Sequence, residues 1–167
     1  MDNEKKNLTA KETFDLAVQN QQKNNLQVAE KLYKETLKSN PNHVDAHNNL
    51  GIILLRSGKT QKANSCFEKA IEINPNHPSA NNNLGVVFRQ LGEQQKAISC
   101  YEKAIEIQPN YASAHNNLGE VFRILGDLQK AKSCHQKAIE INPNNASAHN
   151  NLGNALKALG EFQKAKS

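Results

Sequence analysis

Four pairs of adjacent asparagines, Asn48-Asn49, Asn82-Asn83, Asn116-Asn117 and Asn150-Asn151, recur at intervals of 34 residues in this 167-residue chain. A carboxamide carries both donors and an acceptor, so a row of them can hydrogen-bond an extended main chain without demanding a particular side chain. Asparagine is a mediocre helix former, so its repetition inside helical segments needs an explanation other than propensity. The chain's three arginines, Arg56, Arg89 and Arg123, followed by Lys157, lie near the ends of the same segments and trace a cationic stripe. Such groups favour acidic side chains or a C-terminal carboxylate through charge-assisted hydrogen bonds. The plainer readings are dipole complementation for the arginines and copied, inert polar surface for the asparagines. Lys69, Lys103 and Lys137 with Glu72, Glu106 and Glu140 repeat in the same way and look like solvated helix faces.

Other reactive residue types point away from chemistry. Cys66, Cys100 and Cys134 are one period apart, which puts them on successive layers about 10 Å apart, beyond disulfide reach and unlike a zinc site. They are expected to be small structural thiols. His47, His115 and His149 fall inside helical segments, and His43 and His77 follow prolines. Packing and helix starts explain them, since the repeat sets no carboxylate or thiol beside them. Gly58-Lys59-Thr60 resembles the end of a phosphate-binding loop, but Ile53 stands where the leading glycine belongs and a helix, not a strand, precedes it. No nucleophile-base pair appears, so neither catalysis, metal nor cofactor is expected.

The elements that hold these residues are set by the period. Units run over residues 10–43, 44–77, 78–111 and 112–145, with a partial unit at 146–167. Leu50-Gly51 returns as Leu84-Gly85, Leu118-Gly119 and Leu152-Gly153, and a breaker glycine follows at Gly58, Gly92, Gly126 and Gly160. Then come an alanine (Ala63, Ala97, Ala131, Ala165), Phe67, Tyr101 or His135, a second alanine (Ala70, Ala104, Ala138), and Pro75, Pro109 or Pro143. In the first unit Leu16-Ala17, Asn24 and Thr36 replace family residues, while Ala29, Tyr33 and Pro41 keep the register. These residues and spacings closely resemble the tetratricopeptide repeat. Strings such as AHNNLG and LGNALKALG further resemble repeats of O-linked N-acetylglucosamine transferase-type proteins.

Within one unit, Ala46, His47, Leu50, Gly51 and Leu54 form one apolar stripe at helical spacing, matched by Ala63, Phe67, Ala70 and Ile71 on the partner helix. Gly51 and the alanines allow close approach, and Phe67 fills the space between the helices. Proline stops each second helix. Ser79, Ser113 and Ser147, with Asp45 in the matching place, are expected to cap the first helices. Short identical joints repeat one rotation, which predicts an all-α superhelix with a concave face. The resemblance implies a right-handed superhelix whose first helices line the concavity, and it singles out Asn49, Asn83, Asn117 and Asn151 as the residues that grip a peptide. Glu120 stands where Ile52 and Val86 stand in the two preceding units, so the face should turn from apolar to polar there.

Composition fits this reading. The chain is 37% hydrophobic, 22% charged and only 5% aromatic, with a net charge of +5; a solenoid tolerates few aromatics because each helix pair buries its face on its neighbours. Basic residues are not interleaved with stacking aromatics, which argues against nucleic acid. No apolar leader or membrane-length run occurs, so the expectation is a cytoplasmic chain that does not enter a membrane. Residues 1–9 read as a polar leader, and Ser167 comes early in a second helix, so the end belongs to a longer protein or packs on another copy. The expected function is a non-catalytic module that binds an extended protein segment, acidic or ending in a free carboxylate. The alternative is the substrate-recognition arm of a larger enzyme such as a glycosyltransferase.

Overall fold

The period resolves into helix pairs in which the first member is 13 residues long and the second 14. The computed structural model describes residues 8–160, among which there are nine helices and no strand. They are α1 (Ala10–Gln22), α2 (Leu26–Ser39), α3 (Val44–Arg56), α4 (Thr60–Ile73), α5 (Pro78–Gln90), α6 (Gln94–Ile107), α7 (Ala112–Ile124), α8 (Leu128–Ile141) and α9 (Ala146–Ala158). The helices form two compact units that divide between Pro75 and Asn76. In the first, α1 pairs with α2 and α3 with α4, and α2 packs on α3. In the second, α5 pairs with α6 and α7 with α8, α6 packs on α7 and α8 on α9, and α5, α7 and α9 touch in succession. Each unit is a stretch of α-α solenoid, the fold class that the period predicts.

Left-handed backbone closes each turn inside a pair. Gly58 and Gly92 sit at φ 72° and 77°, and Asn24 takes the same place at φ 60°, as asparagine does more readily than other residues with a β-carbon. Lys59 N–H donates to the Leu54 carbonyl at 2.9 Å and Gly58 N–H to that of Leu55 at 3.0 Å, the bond pair that satisfies the last carbonyls of a helix. The second helices stop at Asn40, Asn74, Gln108 and Asn142, whose φ values near −135° (−138, −134, −133 and −132) reflect the extended backbone that a following proline imposes.

Helix starts differ from the sequence expectation. His43 and His77 cap α3 and α5, their Nδ1 atoms accepting from Ala46 N–H at 3.3 Å and Ala80 N–H at 3.0 Å, and Asn145 caps α9 through Oδ1 at 3.1 Å. Ser79, Ser113 and Ser147, like Asp45, are the second residue of their helices, one place too late for a cap, because the first helical residue is Pro78 or its counterpart. Thr9, read as the end of the leader, forms a capping box with Glu12, accepting from its N–H at 3.2 Å while the Glu12 carboxylate accepts from Thr9 N–H at 2.9 Å. Ala165 and Ser167 lie outside the described residues, as does most of the leader.

The interior is built from a small residue under a ring. A Cβ placed on Gly51 would lie 2.6 Å from Phe67 Cε1, one on Gly85 2.6 Å from Tyr101 Cε1, and one on Gly119 2.7 Å from His135 Cε1. All three rings are fully buried, together with Ala63, Ala70, Ala97 and Ala104. Ile53, Val87 and Val121 are also buried, though the expected stripe omitted that position, whereas His47 is only half-buried. The helical histidines tie each first helix to the preceding turn. Nε2 donates to a proline carbonyl from His47 to Pro41 at 2.8 Å, from His115 to Pro109 at 2.9 Å and from His149 to Pro143 at 2.9 Å.

Candidate functional site

In the second unit the asparagine pairs meet across layers. Asn117, on α7, donates from Nδ2 to Asn82 Oδ1 on α5 at 3.0 Å, and Asn151, on α9, donates to Asn116 Oδ1 on α7 at 3.2 Å. Asn82 in turn donates to Asn83 Oδ1 at 3.3 Å. The two members of a pair therefore differ in role. Asn82 is buried and Asn116 half-buried, each acting as acceptor for the next layer, while Asn117 and Asn151 remain partly exposed with Oδ1 and a second N–H beyond the rung. Asn150 is exposed and Asn83 half-buried. In the first unit Asn48 is buried and donates to Asn49 Oδ1 at 3.2 Å, and Asn49 donates to the Tyr33 hydroxyl at 3.3 Å. Asn82 and Asn116 are thus joints within the fold, whereas Asn150 is exposed; the sequence sets both members of every pair on an open face because contacts between layers are not visible in one helix's periodicity.

The cationic residues are not equivalent. Arg123 Nε and Nη2 each lie 3.2 Å from a Glu120 oxygen, a two-pronged pair on α7 that raises the arginine above its ordinary value through hydrogen bonding and charge. Arg56 is exposed and reaches Asn24 Oδ1 at 3.5 Å. Arg89 is partly buried beside the Tyr101 hydroxyl on α6, and Lys157 is exposed on α9. Burial pushes the Tyr101 phenol up to about 12.

Glu120 also faces a second group. His135 is wholly buried, with Nδ1 donating to Asn116 Oδ1 at 2.9 Å and Nε2 3.8 Å from Glu120 Oε1 without a hydrogen bond. Asn116 Oδ1 therefore accepts from both His135 and Asn151. Burial lowers the imidazole's pKa, Glu120 opposes that effect and Arg123 reinforces it. This α7–α8 cluster was legible only in part: the exchange of Ile52 and Val86 for Glu120 was visible, but not its contact with His135.

The thiols behave as structural groups. Cys66, Cys100 and Cys134 are unbonded and half-buried, and desolvation pushes Cys100 and Cys134 up to about 11. Among the described residues no three His, Cys, Asp or Glu side chains converge as metal ligands would, and no helix is long and apolar enough to cross a membrane.

Residues 14–141 match the family described as the middle TPR-like domain of cilia and flagella-associated protein 70, and residues 136–167 match the tetratricopeptide repeat. The chain belongs to the tetratricopeptide-repeat family. Among solved tetratricopeptide structures it is similar to MamA, with 28% identity over 89% of this chain and 87% of that one and a TM-score of 0.75. It shares the fold of pilF from Pseudomonas aeruginosa, at 20% identity, covering 94% of this chain and 72% of that one with a TM-score of 0.85. It also shares the fold of YrrB, a TPR protein described as having an unusual peptide-binding site, at 23% identity, covering 93% and 80% with a TM-score of 0.71. No curated protein matches the chain in sequence. As a tetratricopeptide-repeat protein the chain has the fold of a protein-interaction scaffold.

Proposed function

We propose that the chain is a non-catalytic module whose α5–α7–α9 face holds an extended peptide by its main chain, with Asn117 and Asn151 as the principal contacts. The observation that carries this reading is the incomplete use of their amides. Each gives one N–H to the rung below and keeps a carbonyl oxygen and a second N–H on a partly exposed side chain. A main chain offers alternating donors and acceptors, which suits that remainder. Within the second unit Asn83 and the exposed Asn150 would extend the contact, Asn82 and Asn116 would hold the gripping amides in place, and Arg89, Arg123 and Lys157 would act on acidic ligands; within the first unit Asn49, Asn48 and Arg56 would take the corresponding parts. The partner is a protein or peptide rather than nucleic acid. Capture of a labelled peptide library by wild type and by an Asn117→Ala, Asn151→Ala double variant tests the reading, with folding checked by circular dichroism. Loss of capture by the folded variant is expected; equal capture refutes the assignment.

The second reading, the substrate-selecting arm of a glycosyltransferase, is favoured by AHNNLG and LGNALKALG. The gene sequence beyond Ser167 decides between them.

A further inference from the structure

Each unit has a cavity between the second helix of one repeat and the helices of the next, and the two cavities carry opposite charge at matching positions of the repeat. In the first unit the cavity has a volume of about 340 Å³ and lies among α2, α3 and α4, with the buried Leu50 and Leu54 and the half-buried Cys66 as its floor. Lys34, Lys59 and Lys62 line its rim against one carboxylate, Glu30, which Lys34 and Lys59 share. Two repeats later the matching cavity, of about 510 Å³, lies among α6, α7 and α8. Glu102 stands there for Lys34, Asp127 for Lys59 and Ile98 for Glu30, while Lys130, 2.9 Å from Asp127, keeps the place of Lys62. The cysteines at one position of both repeats register the reversal. Burial pushes both thiols up, but Lys34 works against the rise at Cys66, whereas Asp127 and Glu102 add to it at Cys134. The rims differ in a second respect. Leu125, which lines the second cavity, is 54% exposed, more than any other large hydrophobic among the described residues, and its neighbour Ile124 is exposed too. The matching residue in the first unit is Ser57. A bare leucine beside carboxylates is the complement of an apolar cavity ringed by lysines.

We propose that these surfaces are the two halves of a contact between copies of this chain, in which Leu125 of one copy enters the cavity floored by Leu50 and Leu54 of a second, with Glu102 and Asp127 facing Lys34, Lys59 and Lys62. Both halves occur in one sequence, which is what names a second copy as the partner. The cavity volume falls in the range that encloses small ligands, so a leucine side chain fits. Filling it removes Leu125 from water, while the opposite charges orient the encounter and reject a copy that presents the wrong rim. The contact is heterologous, so each copy still offers an unused half after pairing and association continues past a dimer. It uses none of the residues assigned to peptide binding.

The test is sedimentation velocity on the full chain over about 1 μM to 1 mM, the range of a small contact. The mean mass of wild type should rise with concentration, and the rise should shrink in high salt, which screens exposed charges. Leu125→Ser copies Ser57 and removes the knob, and should weaken association about tenfold or more, the effect of one leucine left in water. Lys34→Glu with Lys59→Asp copies the second cavity onto the first, sets like charges against Glu102 and Asp127, and should abolish association. Both changes fall on exposed residues, and circular dichroism checks that the variants fold. Mixed in equal amounts, the two variants should form a 1:1 complex and nothing larger, because one keeps the knob and the other keeps the cavity. A wild type that stays monomeric throughout overturns the proposal. Association that survives unchanged in either variant, or a mixture that stays monomeric or grows past pairs, places self-association elsewhere and overturns it as well.

Discussion

Asn117 donates to Asn82 at 3.0 Å across 35 positions of sequence, and Asn151 donates to Asn116 at the same separation. The offset is one residue longer than the repeat, so each bond joins the second asparagine of one unit to the first of the unit before. Asn82 is 5% exposed, so its oxygen has little water to replace a lost donor. Asn117→Ala should therefore lower stability by about 1–2 kcal/mol, the cost of a buried acceptor left unmet, whereas Asn150→Ala, at an exposed position, should stay within about 0.5 kcal/mol. Denaturant unfolding of the two variants compares them directly; equal effects would deny the rung a structural role.

A methyl group tests the ring contact. Gly85→Ala would set Cβ 2.6 Å from Tyr101 Cε1, and a fully buried ring beside helix backbone has little room to yield. The expected loss is about 1–3 kcal/mol from overpacking. At Gly153 a Cβ meets nothing within 4 Å, and Gly153→Ala should be neutral or stabilise by up to about 1 kcal/mol through helix propensity. Thermal melts that ranked the two variants in the opposite order would contradict this packing.

Acidification should weaken the α7–α8 pair through His135. Its pKa lies below the ordinary 6.5 because burial disfavours the imidazolium, so the unfolded chain takes up a proton that the folded chain resists. The contribution is fully present above about pH 6.5 and is lost as pH falls from there toward the folded value, with a slope of up to about 1.4 kcal/mol per pH unit. His135→Phe, which copies Phe67, should flatten the dependence of the unfolding midpoint between pH 7 and 5. An unchanged slope would assign it to other groups.

The thiols should resist alkylation while the chain is folded. Cys100 is pushed from 9.0 up to about 11, which leaves on the order of a hundredfold less of the reactive thiolate at pH 8. Mass spectrometry after iodoacetamide treatment should show slow labelling of Cys100 and Cys134 in buffer and rapid labelling in denaturant. Fast native labelling would place them nearer water.

What could be read in advance depended on how local each relationship is. Leu84-Gly85, Gly92 and Pro109 mark a helix, a turn and a stop within a single unit, and the Gly51–Phe67 approach follows from two stripes joined by one turn. The Asn117–Asn82 rung and the Glu120–His135 approach depend on the pitch between helices, which no period expresses. Serine is the usual cap, which points to Ser79; His77 caps instead, since Pro78 suits the first helical position and moves the boundary back by one. Arg123 and Arg89 look alike in sequence, and the residue three places earlier, Glu120 or Val86, decides which of them has a carboxylate on its own helix.

The 35-residue offset bears on how such a chain could grow. Asn117 and Asn151 are hooks into the repeat before, and Asn82 and Asn116 are the eyes that receive them. A copied or deleted unit leaves neighbours that still fasten to each other, so length could change by whole units without any rewriting of the seams.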